Sequence, residues 1–294
     1  MAASPLCSNL AIYIELELEL PSIVQYRVIM QILFQLWKQK RNFQTLIAGD
    51  FRQNYLSSYL GFAWAIIGPV ISLTVMALVF QFGLKVSAVN QSGLPFVAWL
   101  ACGLVPWYYF SDGVQSGASA VVSYGFLVRK ANFRISYLPA IRLCALTVIH
   151  LALLCLLLGI LLYFGIFPSL YWLQWFYYFP LMFLFLLGLA WATSAITIFI
   201  PDTTSFLGIV LSIGFWATPI IWNSTMLPPK YRWLFAANPA YYIVQGYRNT
   251  FVEPLWFWQR PLLDHAFFFG WLVFVLFAGA VTFKKLRLHF ADVI

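Results

Sequence analysis

The run Pro106-Trp107-Tyr108-Tyr109-Phe110-Ser111-Asp112-Gly113-Val114-Gln115-Ser116-Gly117 decides how the chain is read, together with its continuation Tyr124-Gly125-Phe126-Leu127-Val128-Arg129-Lys130-Ala131-Asn132-Phe133-Arg134 toward Pro139 and Arg142. The first half lies in an apolar segment, where a proline kinks the helix and four aromatics follow. Gly113 and Gly117 stand at the spacing that lets two membrane helices approach closely. The second half is short, cationic and broken by Gly125, and a new apolar segment starts near Pro139. A basic elbow between two spans belongs at the cytoplasmic face. Within it Phe126, Leu127, Val128 and Phe133 need a partner that is not lipid, so the elbow reads as a docking point for a second protein. A solvated loop whose Arg and Lys only set topology accounts for the charges but not for those side chains.

Outward from this stretch, composition sets the class. The 294 residues are 63% hydrophobic, 20% aromatic and 9% charged, whereas a soluble domain carries about 25% charged residues. Apolar stretches of about 20 residues recur, each long enough to cross a hydrocarbon layer of about 30 Å. The chain is therefore an integral membrane protein, with membrane lipid as its surroundings. No apolar run ending in a small-residue cleavage site opens it, so no removable signal peptide is expected. The net charge of +8 is not a nucleic-acid footprint. Twelve of the seventeen Lys and Arg precede the first span, flank the elbow or form the Lys284-Lys285-Leu286-Arg287 tail, which is the positive-inside pattern. Cys7, Cys102, Cys144 and Cys155 show no paired spacing, which argues against a disulfide framework or a zinc site.

The fold class this predicts is all-α: six transmembrane helices, an N-terminal interfacial helix, and an outer-side re-entrant helical hairpin between spans five and six. Residues 1–29 read as a disordered tail, although Tyr13-Ile14-Glu15-Leu16-Glu17-Leu18-Glu19-Leu20 alternates like a strand that would add to a partner's sheet. Everything recognisable follows Met30, a candidate start. Residues 30–58 form an amphipathic interfacial segment, with Leu33, Leu36 and Trp37 against Lys38, Lys40 and Arg41. Residues 59–294 are the transmembrane domain, with spans at about 61–83, 94–121, 139–167, 175–200, 203–222 and 265–283. Asp202 is placed to cap the fifth. Parity keeps 223–263 outside: a seventh span would separate the basic tail from the elbow. A dip around Pro239 is then shielded by protein.

The chain resembles the ABC-2-type permeases of polysaccharide exporters. The resemblance rests on Leu60-Gly61-x-x-Trp64 followed by Pro69, Cys102-Gly103-Leu104-x-Pro106-Trp107, the Phe126–Lys130 elbow, Thr218-Pro219-Ile220, Met226 through Trp233, Asn238-Pro239 and Tyr247-Arg248. It covers about residues 40–285. One departure is Pro201-Asp202, where the family usually has Arg-Asp. The resemblance implies a half-transporter in the bacterial inner membrane with both termini cytoplasmic. Two copies form a channel for a lipid-linked polysaccharide, and two nucleotide-binding subunits hydrolyse ATP. No Gly-x-x-x-x-Gly-Lys loop occurs in the sequence, so ATP and Mg²⁺ belong to that partner and this chain needs no cofactor of its own.

On this reading Phe126, Leu127, Val128, Arg129, Lys130, Phe133 and Arg134 couple to the ATPase. Trp64, Trp107, Tyr108, Tyr109, Trp216 and Trp222 line a sugar path, since aromatic rings meet sugar C–H faces while Trp N–H and Tyr O–H meet hydroxyls. Ordinary helix packing explains each ring equally well. Tyr241, Tyr242, Tyr247 and Arg248 form an outer gate. Trp172, Trp175, Tyr177, Trp256 and Trp258 are interfacial anchors. Asp112, which costs about 2.5–3.5 kcal/mol at mid-bilayer, must face protein or water, with Arg142 as a candidate partner. His150 is a hydrogen-bonded packing residue, and Asp264-His265 makes no catalytic set. The alternatives are an ABC-2 exporter of a small hydrophobic drug or lipid, and a membrane-embedded glycosyltransferase or ligase.

Overall fold

The computed structural model describes residues 40–55, 61–83, 85, 94–125, 134–226 and 228–293. The chain divides into Met1–Ala48 and Gly49–Ile294. Of the first unit only 40–48 is described, as the opening turns of helix α1 (Lys40–Tyr55). The readings of 1–29 and 30–39, and of the elbow residues 126–133, fall outside the described residues.

In the second unit every regular element is helical among the described residues. After α1 come α2 (Phe62–Leu78), α3 (Phe96–Ala118), α4 (Leu138–Tyr163), α5 (Trp175–Phe199), α6 (Thr203–Ala217), α7 (Arg232–Ala236), α8 (Pro239–Phe251), α9 (Leu262–Leu286) and α10 (Phe290–Val293). Four stretches are long and apolar enough to cross a membrane: Phe62–Gln81, Ile135–Tyr163, Leu170–Phe199 and Leu262–His289. The protein is a multi-pass membrane protein. Helix α3 is long but less apolar, carrying Trp, Tyr, Ser, Asp and Gln. It is also the most enclosed of the long helices, burying Trp99, Leu104, Trp107, Tyr109 and Val114 against protein rather than lipid.

Close backbone approach holds the bundle, because lipid offers apolar side chains no reason to prefer one another. A Cβ on Gly113 would stand 2.8 Å from Leu186 Cδ1, and one on Gly117 2.8 Å from Ala190 Cβ, so the glycine pair seats α3 on α5. Helices α5 and α9 touch backbone to backbone. A Cβ on Gly279 would overlap the Gly188 carbonyl, and one on Gly188 would lie 2.9 Å from the Leu276 nitrogen.

Two sequence expectations change. Helix α6 stops at Ala217 rather than near 222: Pro219 has no N–H and holds Thr218 extended at φ −89° and ψ 129°. Asp202 makes no side-chain cap. Its backbone is helical at φ −62° and ψ −14°, not the extended geometry of an N-cap. The turn is held instead by the Thr203 hydroxyl donating to Ile200 O at 2.7 Å and the Thr204 hydroxyl to Pro201 O at 3.0 Å.

Burial is uneven. None of the residues of α6 is buried, and α2 buries only Ala77. Ile71 and Val75 on α2, and Phe206, Ile209, Ile213 and Trp216 on α6, stand more than half exposed or close to it.

Candidate functional site

Between the end of α1 and helices α2, α3, α4 and α6 lies an open cleft of about 750 Å³. Trp64, Pro69 and Ser72 of α2 face Tyr108, Asp112 and Gln115 of α3, with Tyr55, Ser116, Ser119, Arg142 and Thr204 completing its polar lining. Pro69 and Pro106, which lack a backbone N–H to donate along the helix, lie within the helices that form its walls. The Gln115 amide donates to Thr204 O at 3.0 Å, and the Ser116 and Ser119 hydroxyls donate to Asp112 O and Ser116 O at 2.5 and 3.1 Å.

Below the cleft a charged joint brings three elements together. The Asp50 carboxylate of α1 is buried and accepts from Arg142 Nη1 at 3.2 Å on each oxygen. It also accepts from the Tyr124 hydroxyl. Tyr124 lies one residue short of the end of the described stretch 94–125, and Arg142 sits one turn into α4. Burial, then the Asp50 carboxylate, push the Tyr124 hydroxyl above its ordinary pKa, so it keeps its proton and donates.

At the other end of the bundle, Arg248 is buried with its guanidinium 3.4 Å from the centre of the Trp99 ring. Its two terminal nitrogens donate to Pro219 O at 2.7 Å and Ile220 O at 2.6 Å. Trp99 Nε1 donates to Glu253 at 3.0 Å, and Gln245 donates to the other Glu253 oxygen at 2.8 Å. His150 Nε2 and Tyr247 Oη are 2.8 Å apart, and Trp175 Nε1 donates to the same hydroxyl at 3.1 Å. The Tyr242 hydroxyl lies 2.9 Å from His265 Nδ1 and 3.0 Å from the Tyr177 hydroxyl. His265 Nε2 donates to Phe257 O at 2.9 Å, which makes Nδ1 the acceptor for Tyr242. Asp264 is paired with Arg260 at 3.0 Å. Asn238 caps α8 through Ala240 N at 3.0 Å and donates to Thr218 Oγ1 at 2.9 Å.

Residues 41–252 match the family described as ABC-2 type transporter. The chain belongs to that family. The ABC-2 match begins in α1 and ends just beyond α8, so it contains the cleft, the joint and Arg248 with its Trp99, Pro219 and Ile220 partners. This ABC-2 chain is also 23% identical over 249 residues to a Klebsiella pneumoniae protein named O-antigen export system permease protein RfbA, covering 83% of this chain and 92% of the relative. A second Klebsiella pneumoniae RfbA is 22% identical over the same shares. The Myxococcus xanthus protein of that name is 27% identical over 270 residues, 90% of this chain and 99% of its own length.

Of the six aromatics assigned to a path in the ABC-2 chain, the structure brings Trp64 and Tyr108 together in the cleft. Trp216 is exposed on α6, and Trp222 donates to its carbonyl at 3.1 Å. Trp107 and Tyr109 stand in the packed interior, Trp107 against Phe215 and Tyr109 on Leu143 O and Thr147. Of the four residues assigned to an outer gate, Tyr242, Tyr247 and Arg248 are buried and Tyr241 is partly open. Among the interfacial anchors, Trp175 and Tyr177 are bonded inward, while Trp258 is exposed. Of the coupling set only Arg134 is described; it donates to Tyr137 Oη at 3.4 Å.

Arg142 pairs with Asp50, not with Asp112, because α1 closes beneath the start of α4. The joint residue Asp50 was missed in the sequence. Its signal was being the single acid in a helix otherwise carrying Lys40, Arg41 and Arg52.

Proposed function

We propose that this chain is the membrane subunit of an ATP-driven exporter whose cargo is a lipid-linked polysaccharide of the O-antigen type, crossing a bacterial inner membrane. The observation that carries this reading is that three relatives named as O-antigen export permeases each cover more than four fifths of the chain and more than nine tenths of themselves.

The parts fit this task. A cleft lined by Trp64, Tyr108, serines and Asp112 suits a hydroxylated polymer better than a greasy molecule, which would want an aliphatic wall. Six spans, formed by α2, α3, α4, α5, α6 and α9, leave both termini and the elbow on the cytoplasmic side, with α7 and α8 dipping from the outer face. Two copies bring the unburied faces of α2 and α6 together around the path. ATP and Mg²⁺ sit in two nucleotide-binding subunits beneath, whose closure presses on residues 126–134. The joint of Asp50, Arg142 and Tyr124 carries that push into α1, α3 and α4 as one body.

The test is transport in inverted vesicles holding this chain, its nucleotide-binding subunit and the lipid-linked polymer. Polymer should enter the lumen only with ATP and with both proteins present. Movement of a small hydrophobic dye or lipid with the polymer left outside would overturn the reading.

A further inference from the structure

We infer that the cleft beside Asp112 receives uncharged, hydroxyl-bearing sugar rings and turns away the phosphate that links them to a lipid carrier. This rests on the polysaccharide-export reading and adds which part of the cargo the cleft holds.

The argument is one of donors and acceptors. Asp112 opens onto the cleft, and its carboxylate pairs with no cation and accepts no hydrogen bond among the described residues. The one cation in the lining, Arg142, is already engaged by both oxygens of the buried Asp50. The uncompensated charge facing the cleft is therefore negative, and it repels a phosphate across a membrane interior that screens poorly.

The neutral groups point the same way. Gln115, Ser116, Ser119 and Thr204 spend donors on backbone carbonyls of the protein. The donors left in the lining, the Trp64 indole N–H and the Tyr55, Ser72 and Tyr108 hydroxyls, are neutral, whereas a phosphate is held best by charged donors and the one cation of the lining is already paired. A sugar ring brings hydroxyl donors for the carboxylate, and its C–H faces meet the rings of Trp64 and Tyr108. An unpaired carboxylate in a membrane helix is costly unless a water-filled path or a ligand satisfies it, and such a ligand satisfies it.

The experiment uses the complete permease–ATPase complex in lipid nanodiscs, with a neutral linear hexose oligosaccharide and inorganic pyrophosphate as probes, read by saturation-transfer NMR. The oligosaccharide should bind the unaltered complex and pyrophosphate should not displace it. Asp112→Ala should weaken oligosaccharide binding about ten-fold, the loss of one charged hydrogen bond. Asp112→Asn, which keeps an acceptor and removes a membrane charge, should weaken it less. Competition by pyrophosphate, absence of oligosaccharide binding, or unchanged affinity in Asp112→Ala would each overturn the inference. So would dissociation of the two permease copies in Asp112→Asn, since the carboxylate would then be a contact between copies. Vesicle export by the unaltered complex, measured in parallel, separates the failures. Polymer export with any of these adverse results sinks only the assignment of the cleft, and no polymer export sinks the function itself.

Discussion

Removing the Asp50 carboxylate should cost more than one ion pair, because it strands two groups that point at it. Breaking a buried pair from one side costs about 3–5 kcal/mol. Arg142 keeps 14% of its side chain exposed, so water recovers part of this and the lower end, about 3 kcal/mol, is expected for Asp50→Ala. Thermal unfolding in detergent should show that loss, with Asp50→Asn intermediate because its amide oxygen still accepts from Tyr124. An Asp50→Ala protein as stable as the parent would show that the joint holds nothing. A second residue-scale expectation concerns Gly103, where a Cβ would stand 2.8 Å from Arg248 Nη2. Gly103→Ala should push the guanidinium off the Pro219 and Ile220 carbonyls and lower stability. In Arg248→Ala the same change should cost less, so the double variant should fall short of the sum of the singles. Additive losses would mean the two positions do not meet. Neither pairing was legible in the sequence. Asp50 and Arg142 are separated by 92 positions, and nothing in either segment's pattern says that α1 closes beneath α4.

Helix contacts divide into those with a sequence rhythm and those without. Gly113 and Gly117 were readable because their spacing repeats a known close-approach pattern, and they do seat α3 on α5. Gly188 and Gly279 were not, since each stands alone in an apolar run and its meaning depends on the opposite helix. Their contact is nonetheless the tighter one, backbone on backbone. Gly188→Val or Gly279→Val should therefore separate α5 from α9 at a cost at or above the usual 1–3 kcal/mol of overpacking. Gly159→Ala and Gly270→Ala, where a Cβ meets nothing within 4 Å, should be neutral. Fluorescence-detected size exclusion after a heat step reads the difference, and equal survival of all four variants would refute the packing argument. The end of α6 was misjudged for a local reason: the apolar run continues to Trp222, but Pro219 removes the N–H that would extend the helix.

At the scale of the molecule, what hydropathy made legible was the membrane class and the all-helical fold. Less legible was which aromatics face a path. Trp107 and Tyr109 look in sequence like Trp64 and Tyr108, yet helix rotation puts the first two inside. That rotation follows from which helix each face packs on, and a single helix does not contain it. The same distribution of packing predicts how two copies meet. Helices α2 and α6 leave apolar side chains unpacked, and in a bilayer lipid alone would cover them as well as protein does. The proposed channel needs them to face a second copy. With Cys7, Cys102, Cys144 and Cys155 replaced by Ala, Ile213→Cys on α6 should form a disulfide between copies under mild oxidation in membranes. Val273→Cys on α9, similarly exposed at 66% against 64% for Ile213, should not, because the same amount of open surface there meets lipid. A crosslink at Val273 and none at Ile213 would move the interface to α9 and detach the cleft from the symmetry axis, leaving Trp64 and Tyr108 without a shared path.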